Sequence, residues 1–186
     1  MKKITTLFKK DPTNLGRVID EINPENEWAL TAKATRKYDG TSCAIINGEL
    51  YKRYDARLNK EGQYKKKIPA GAIPCQEADI HSGHHPHWIK CDRNDPANKY
   101  HFMAFDRLEN KKDGTYELCG EKVQGNPENI EGHILIPHGE KVLNLPDRSF
   151  EGIKTYLKEE NIEGIVFHDG ERMCKIRKSD FGIKRG

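Results

Sequence analysis

No run of about 18 apolar residues occurs in the chain, so no membrane-spanning helix is expected. Residues 1 to 20 contain no apolar core segment, and a secretory leader is therefore not expected either. Cysteine is sparse, scattered and odd in number: Cys43, Cys75, Cys91, Cys119 and Cys174. That pattern argues against a disulfide framework and for reduced thiols in a cytoplasmic protein. There is no internal repeat, which argues against a solenoid, and no low-complexity tract. An excess of one charge sign is also missing. The 32 basic and 29 acidic residues leave a net charge of only +3, which does not by itself demand a nucleic-acid partner.

What is present is a polar chain of 186 residues, the length of one domain. Its basic residues are clustered in "KKITTLFKK", in "YKKK" at 64 to 67 and in "KIRKSDFGIKRG", patches that suit a polyanion. "LGRVIDEINPENEW" reads as a short helix stopped by Asn23-Pro24. "EWALTAKATRKYDGTSCAIING" and "ELYKRYDA" read as strands around an Asn47-Gly48 hairpin turn. Residues 58 to 98 read as a long irregular loop. "KYHFMAFDRL" and "TYELCG" read as strands joined by "ENKKDG". "SFEGIKTYLKEENI" is amphipathic, with Phe150, Ile153, Tyr156 and Leu157 at helical spacing and Ser149 as N-cap. "EGIVFHD" and "MCKIRKS" read as a last hairpin turning at Asp169-Gly170. Leu7 and Phe8 are expected to pin the N-terminal segment to the core. The hairpin-rich order predicts an α+β fold with antiparallel sheets.

One lysine stands out. Lys37 stands at the front of the strand-like run "TRKYDGTSCAII" and opens Lys37-Tyr38-Asp39-Gly40, a K-x-D-G pattern. A second copy, Lys111-Lys112-Asp113-Gly114, falls in a polar turn where Asp-Gly is ordinary hairpin chemistry. Only the first copy has companions in order: Arg53, with Lys52 and Arg57 as neighbours that compete for its place; Glu117, with Glu121 as competitor; Glu163-Gly164-Ile165-Val166; and Lys175-Ile176-Arg177. In a strand, alternation puts Lys175 and Arg177 on one face and Lys178 on the other.

This ordered set resembles the covalent nucleotidyltransferase superfamily, the polynucleotide ligases and capping guanylyltransferases. "TYELCGEKVQGNP" and "KIRKSDFG" are similar to the RNA ligase 1 family. The resemblance implies a nucleotidyltransferase domain of two antiparallel sheets flanked by helices, and an ATP-dependent RNA ligase using Mg²⁺ or Mn²⁺. Its substrates would be RNA 5′-phosphate and 3′-hydroxyl ends. Lys37 would attack the α-phosphate of ATP and carry AMP. Asp39-Gly40 would turn the chain at the nucleophile. Arg53 would hold ribose or phosphate, Glu117 the ribose hydroxyl, and Glu163 the nucleotide or the metal. Either Ile165 or Val166 would pack on adenine, with Phe105 or Phe102 stacked on its other face. Lys175 and Arg177 would stabilise charge on the phosphate and disfavour the ammonium form of Lys37. Family members usually carry K-x-K in the last motif, so Arg177 is a departure, and arginine is not a geometric copy of lysine. Within the resemblance, residues 1 to 186 are expected to form a single adenylation domain without a following OB-fold. Rival expectations are a DNA ligase, a capping enzyme or an inactive RNA-end-binding module.

The stretch "CQEADIHSGHHPHWIKC" holds Cys75, His81, His84, His85, His87 and Cys91. His81 and His85 match half of a zinc spacing, but the cysteines are isolated, so a closed zinc site is not expected. A polar loop is expected instead. Trp88 and the histidines there would stack on bases or touch phosphates, or Trp88 would simply anchor the loop.

Overall fold

The computed structural model describes residues 4–79 and 82–185. In chain order the strands are β1 (Thr5–Thr6), β2 (Phe8–Asp11), β3 (Asn14–Ile22), β4 (Lys33–Lys37), β5 (Thr41–Ile46) and β6 (Glu49–Arg57). They continue with β7 (Ile73–Pro74), β8 (His84–Lys90), β9 (Gly114–Gly120), β10 (His133–Pro137), β11 (Gly164–His168) and β12 (Met173–Arg177). The α-helices are α1 (Lys99–Arg107) and α2 (Phe150–Glu159), and three short 3-10 helices cover Pro24–Leu30, Pro96–Asn98 and Lys178–Phe181. The fold is thus mixed α+β, dominated by antiparallel sheets. Two compact units divide it: Asp39–Pro137 forms one, and Ile4–Tyr38 joins the chain from His138 onward to form the other.

The second unit is built on a four-stranded sheet in the order β1-β12-β11-β4, with the β2-β3 hairpin beside it in the same unit. The turn at Asp169-Gly170 closes β11 onto β12 as expected, and Gly170 takes the positive φ of 97° that the turn needs. Alternation along these strands sends Ala34, Ile165, Phe167, Cys174 and Ile176 into one core with Leu7, Phe8, Ile153 and Leu157. Each large apolar side chain buried there contributes about 1.5–3 kcal/mol. Helix α2 begins at Ser149, whose hydroxyl accepts from the Gly152 N–H at 3.1 Å. Ile153 and Leu157 are its fully buried face, as the helical spacing predicts.

The first unit is a six-stranded sheet in the order β10-β9-β5-β6-β8-β7. Asn47 and Gly48, at φ 52° and 75°, make the tight β5–β6 turn. The second K-x-D-G copy explains itself here. The Asp113 carboxylate accepts from the Asn47 and Gly48 N–H groups at 2.7 and 3.0 Å and fastens that turn.

Four local expectations are corrected. Asn14–Ile22 is a strand and not a helix: its apolar residues pair with β2, in the register Phe8↔Ile22 and Lys10↔Val18. Glu27–Leu30 belongs to a 3-10 turn, and the strand begins only at Lys33. Lys99–Arg107 is a helix and not a strand. It is led in by Pro96 and by the Asp95 carboxylate capping the Ala97 N–H at 2.9 Å, and it buries Ala104 and Phe105 on the sheet. Residues 58 to 98 are not one irregular loop, because His84–Lys90 forms β8, paired with β6 from Tyr51 to Arg57.

Candidate functional site

The chain leaves the four-stranded sheet at Lys37 and enters the six-stranded one at Thr41, so K-x-D-G is the link between two sheets. In the four-stranded sheet, register decides which side chains share a face. Lys37 pairs with Gly164, which pairs with Arg177; Thr35 pairs with Val166, which pairs with Lys175. These residues therefore project from the face opposite the apolar core. Lys175 and Arg177 share this face as the alternation implied, and the register adds Lys37 and Val166 to them. Of the two residues offered for adenine, Ile165 is fully buried on the core side, and only Val166 lies on this face.

Glu163 precedes β11, and its Oε2 lies 2.5 Å from Lys37 Nζ, with each side chain about three-quarters or more covered. Gly164, between Lys37 and Arg177 in the rung, has no room for a side chain. A Cβ there would lie 2.3 Å from the Ile176 carbonyl oxygen and 2.9 Å from Arg177 Cα. That close approach is the physical content of the glycine in Glu163-Gly164-Ile165-Val166.

The two cations of the last strand differ in character. Lys175 makes no side-chain hydrogen bond or ion pair among the described residues. Burial, then the neighbouring charges of Arg177 and Lys37, push its pKa down to about 8. Arg177 is instead clamped. Asp180, fully buried, accepts from Arg177 Nη2 at 3.1 Å and from the Arg177 backbone N–H at 2.9 Å. Lys10 Nζ, from β2, lies 2.6 Å from the same carboxylate. Burial alone would raise the Asp180 pKa, but these two cations outweigh it and hold it below the ordinary value. Lys178 leaves the strand and starts the last 3-10 turn, largely buried. Asp180 and Lys10 were missed in the sequence. The i, i+3 spacing of Arg177 and Asp180 was the available signal for the first; nothing local marks the second.

In the six-stranded unit, Glu117 Oε1 accepts from the Gly40 N–H at 3.1 Å, whereas Glu121 accepts from the Gly132 N–H at 3.0 Å. It is Glu117 that touches the K-x-D-G turn. The Asp39 N–H donates to Glu128 at 2.9 Å, a second acid that sequence reading passed over. Arg53 projects from the same sheet face as Glu117, since Ser42 pairs with Glu117, Ala44 with Tyr51, and Tyr51 and Arg53 alternate in phase. Arg53 Nε donates to Asp55 at 2.9 Å. Its competitor Lys52 points to the other face and donates to Asn98 at 2.6 Å, while Arg57 shares the Arg53 face but is exposed.

Phe105 needs correction. It sits on α1, packed with Cys43, Tyr116 and Leu118 on the face opposite Glu117 and Arg53, and Phe102 packs against the same cluster. Neither ring joins those two residues, because the segment is a helix covering the sheet. Trp88 is only 7% exposed and pairs with Arg53 and Ile73, so it anchors the sheet and presents no stacking surface. His81 lies outside the described residues. Among the described residues no group of three or more His, Cys, Asp or Glu is placed to hold a metal ion, no disulfide joins any of the five cysteines, and no helix is long and apolar enough to cross a membrane.

The arrangement of the four-stranded sheet is a primary amine held beside a carboxylate, with two more cations on the same face. Such a face can receive an anionic group and present a nucleophile to it. The chain matches no known family model and no curated protein.

Proposed function

We propose that the protein is an ATP-dependent RNA ligase of nucleotidyltransferase type, working through AMP carried on Lys37. The observation that carries this reading is the meeting of Lys37, Glu163, Lys175 and Arg177 on one sheet face. Lys37 attacks the α-phosphate of ATP, its nitrogen–phosphorus bond forms, and pyrophosphate leaves. The AMP then passes to an RNA 5′-phosphate, and a 3′-hydroxyl attacks that activated phosphate and releases AMP. Lys175 and Arg177 lower the energy of charge developing on phosphate oxygens. Glu163 accepts a hydrogen bond from the Lys37 amine and orients it. Val166 offers the apolar floor for the base. Arg53, Glu117 and the Asp39-Gly40 turn keep the nucleotide-contacting roles that the resemblance implies. Five cysteines not joined by disulfides suit a cytoplasmic setting.

Mg²⁺ is commonly held by one or two carboxylates together with substrate phosphates. Glu163, the carboxylate paired with Lys37 beside the cationic cluster, fits that mode and would hold the ion. When bound, the ion supplies charge neutralisation at the phosphates.

The test is intact-mass measurement after incubation with ATP and Mg²⁺, then with GTP and Mg²⁺. A gain of one AMP, none of GMP, and no gain for Lys37→Ala are expected. Labelling of Lys37→Ala, or no labelling of the wild-type protein, overturns the reading. Ligation of a nicked or single-stranded RNA carrying a 5′-phosphate separates it from DNA joining.

A further inference from the structure

The run "YKKK" and the histidines of β8 are not used by the proposed chemistry, yet the structure brings them together. After β6 the chain makes a small loop fastened by Asn59, whose side-chain oxygen accepts from the Glu61 and Gln63 N–H groups at 3.1 and 2.8 Å. The loop returns Tyr64 to the strand end, where it bridges to Leu58 and the Lys65 N–H donates to the Arg57 carbonyl at 2.9 Å. There the Tyr64 ring lies nearly parallel to His85, at 18° and 5.8 Å between centroids, and its hydroxyl is 2.7 Å from His85 Nδ1. His85 rests in turn on His87, at 4.5 Å. His87 is buried, and its Nδ1 donates to the His85 carbonyl at 2.8 Å.

The result is a graded ring cluster, with the two histidines tilted by 52° and Tyr64 also edge-on to His87 at 5.9 Å: a buried ring, a half-buried ring, and an outer ring with 41% of its surface in solvent. An aromatic ring that is already fixed loses little further freedom on binding a flat partner. Around it, Arg57, Lys60, Lys65, Lys66 and Lys67 are all exposed, with Glu61 the one acid between Arg57 and Lys67. A lysine run alone is an ordinary solvated surface. A preorganised exposed ring inside it is what points to a ligand with flat faces and regular negative charge.

We infer that Tyr64, supported by His85, and Lys65 to Lys67 form a docking surface for single-stranded polynucleotide, with a base on the ring and phosphates on the lysines. Unpaired strands are favoured over duplex because a duplex keeps its base faces stacked away. That the strand is RNA rests on the proposed function; the stack and the charge do not.

The experiment is fluorescence anisotropy with a 5′-labelled unstructured 12-nucleotide RNA at several salt concentrations, run beside AMP labelling of the same proteins. Tyr64→Ala is expected to weaken binding about fivefold or more, and Tyr64→Phe, which keeps the ring, to stay within about twofold of wild type. The triple change Lys65→Glu, Lys66→Glu, Lys67→Glu is expected to weaken binding at least about tenfold and to flatten the salt dependence by about two in logarithmic slope. AMP labelling should be unchanged in all three proteins. Wild-type binding by both Tyr64→Ala and the triple variant overturns the inference. So does a polyglutamate peptide that binds as tightly as the RNA with the same dependence on these residues, which would make this an acidic-peptide surface. Loss of AMP labelling in the wild-type protein with RNA binding intact would sink the ligase reading and leave this surface standing.

Discussion

The Nζ of Lys37 and the Oε2 of Glu163 lie 2.5 Å apart although the residues are 126 positions apart in the chain. The pairing of Lys37 with Gly164 across β4 and β11 produces this meeting. Glu163→Gln keeps the shape and removes the charge. It is expected to slow AMP labelling by at least about tenfold, on the scale of losing a charge-assisted hydrogen bond, while melting near wild type. A Glu163→Gln protein that labels at the wild-type rate removes Glu163 from the site.

Lys175 carries a pH prediction. Its folded-state pKa of about 8 lies below the ordinary lysine value of ~10.4. The folded protein therefore releases this proton before the unfolded chain does. The penalty on the charged form is fully present below about 8 and is relieved as pH rises toward ~10.4, so this group makes stability increase with pH over that window. Lys175→Met should remove that increase in urea-unfolding curves taken across it. In catalysis the sign reverses, because the neutral form no longer offers a cation. The kcat/KM for ATP should acquire a descending limb near pH 8, and Lys175→Arg should move the limb upward. Lys175→Ala should label at least about a hundredfold more slowly, on the scale of a lost oxyanion donor, with little change in melting. Arg177→Lys should retain substantial labelling. An unchanged pH profile in Lys175→Arg would assign the limb to another group.

Asp180 should matter both for folding and for aiming Arg177. It is fully buried between Arg177 and Lys10, and removing one partner of a buried ion pair typically costs about 3–5 kcal/mol. The Lys10 and Arg177 side chains are partly exposed, so Asp180→Asn, which keeps hydrogen bonding, should fall well below that range. Its depressed pKa contributes stability that is present above the unfolded carboxylate value and is lost as pH falls through the folded one. Acid unfolding of Asp180→Asn should lose that part of its pH dependence. A variant with the wild-type acid profile would show that the pair is not coupled to folding.

Gly40→Ala tests the turn that follows Lys37. A Cβ at Gly40 would lie 2.2 Å from the Leu118 carbonyl oxygen and 2.9 Å from Cys119 Sγ, and it would crowd Glu117 at 3.0 Å. Overpacking of this kind costs about 1–3 kcal/mol. The measured melting temperature should drop by several degrees, whereas Gly48→Ala, with nothing within 4 Å of its added carbon, meets only backbone strain at φ 75°. Equal stability of Gly40→Ala and wild type would mean that β9 shifts freely to make room.

The sequence by itself determined the elements whose signals are local. Asn47-Gly48 and Asp169-Gly170 encode turns that only a few backbone conformations satisfy. Ser149 and the spacing of Ile153 and Leu157 encode α2, and alternation in β12 puts Lys175 and Arg177 on one face. Tertiary structure decided the rest, because those choices depend on partners distant in the chain. Leu15, Val18 and Ile22 have helical spacing, but the segment gains a β2 partner and becomes a strand. The aromatic run around Phe102 and Phe105 looks extended until an open sheet face is available for a helix to cover. The histidine-rich segment becomes β8 because β6 offers a full row of hydrogen-bonding groups that would otherwise stay unpaired. Glu117 is separated from Glu121 by the Gly40 N–H it meets, and Val166 from Ile165 by which face of β11 is left without a core. Asp180 reaches Lys10 across 170 positions, and no local pattern can register a contact of that separation.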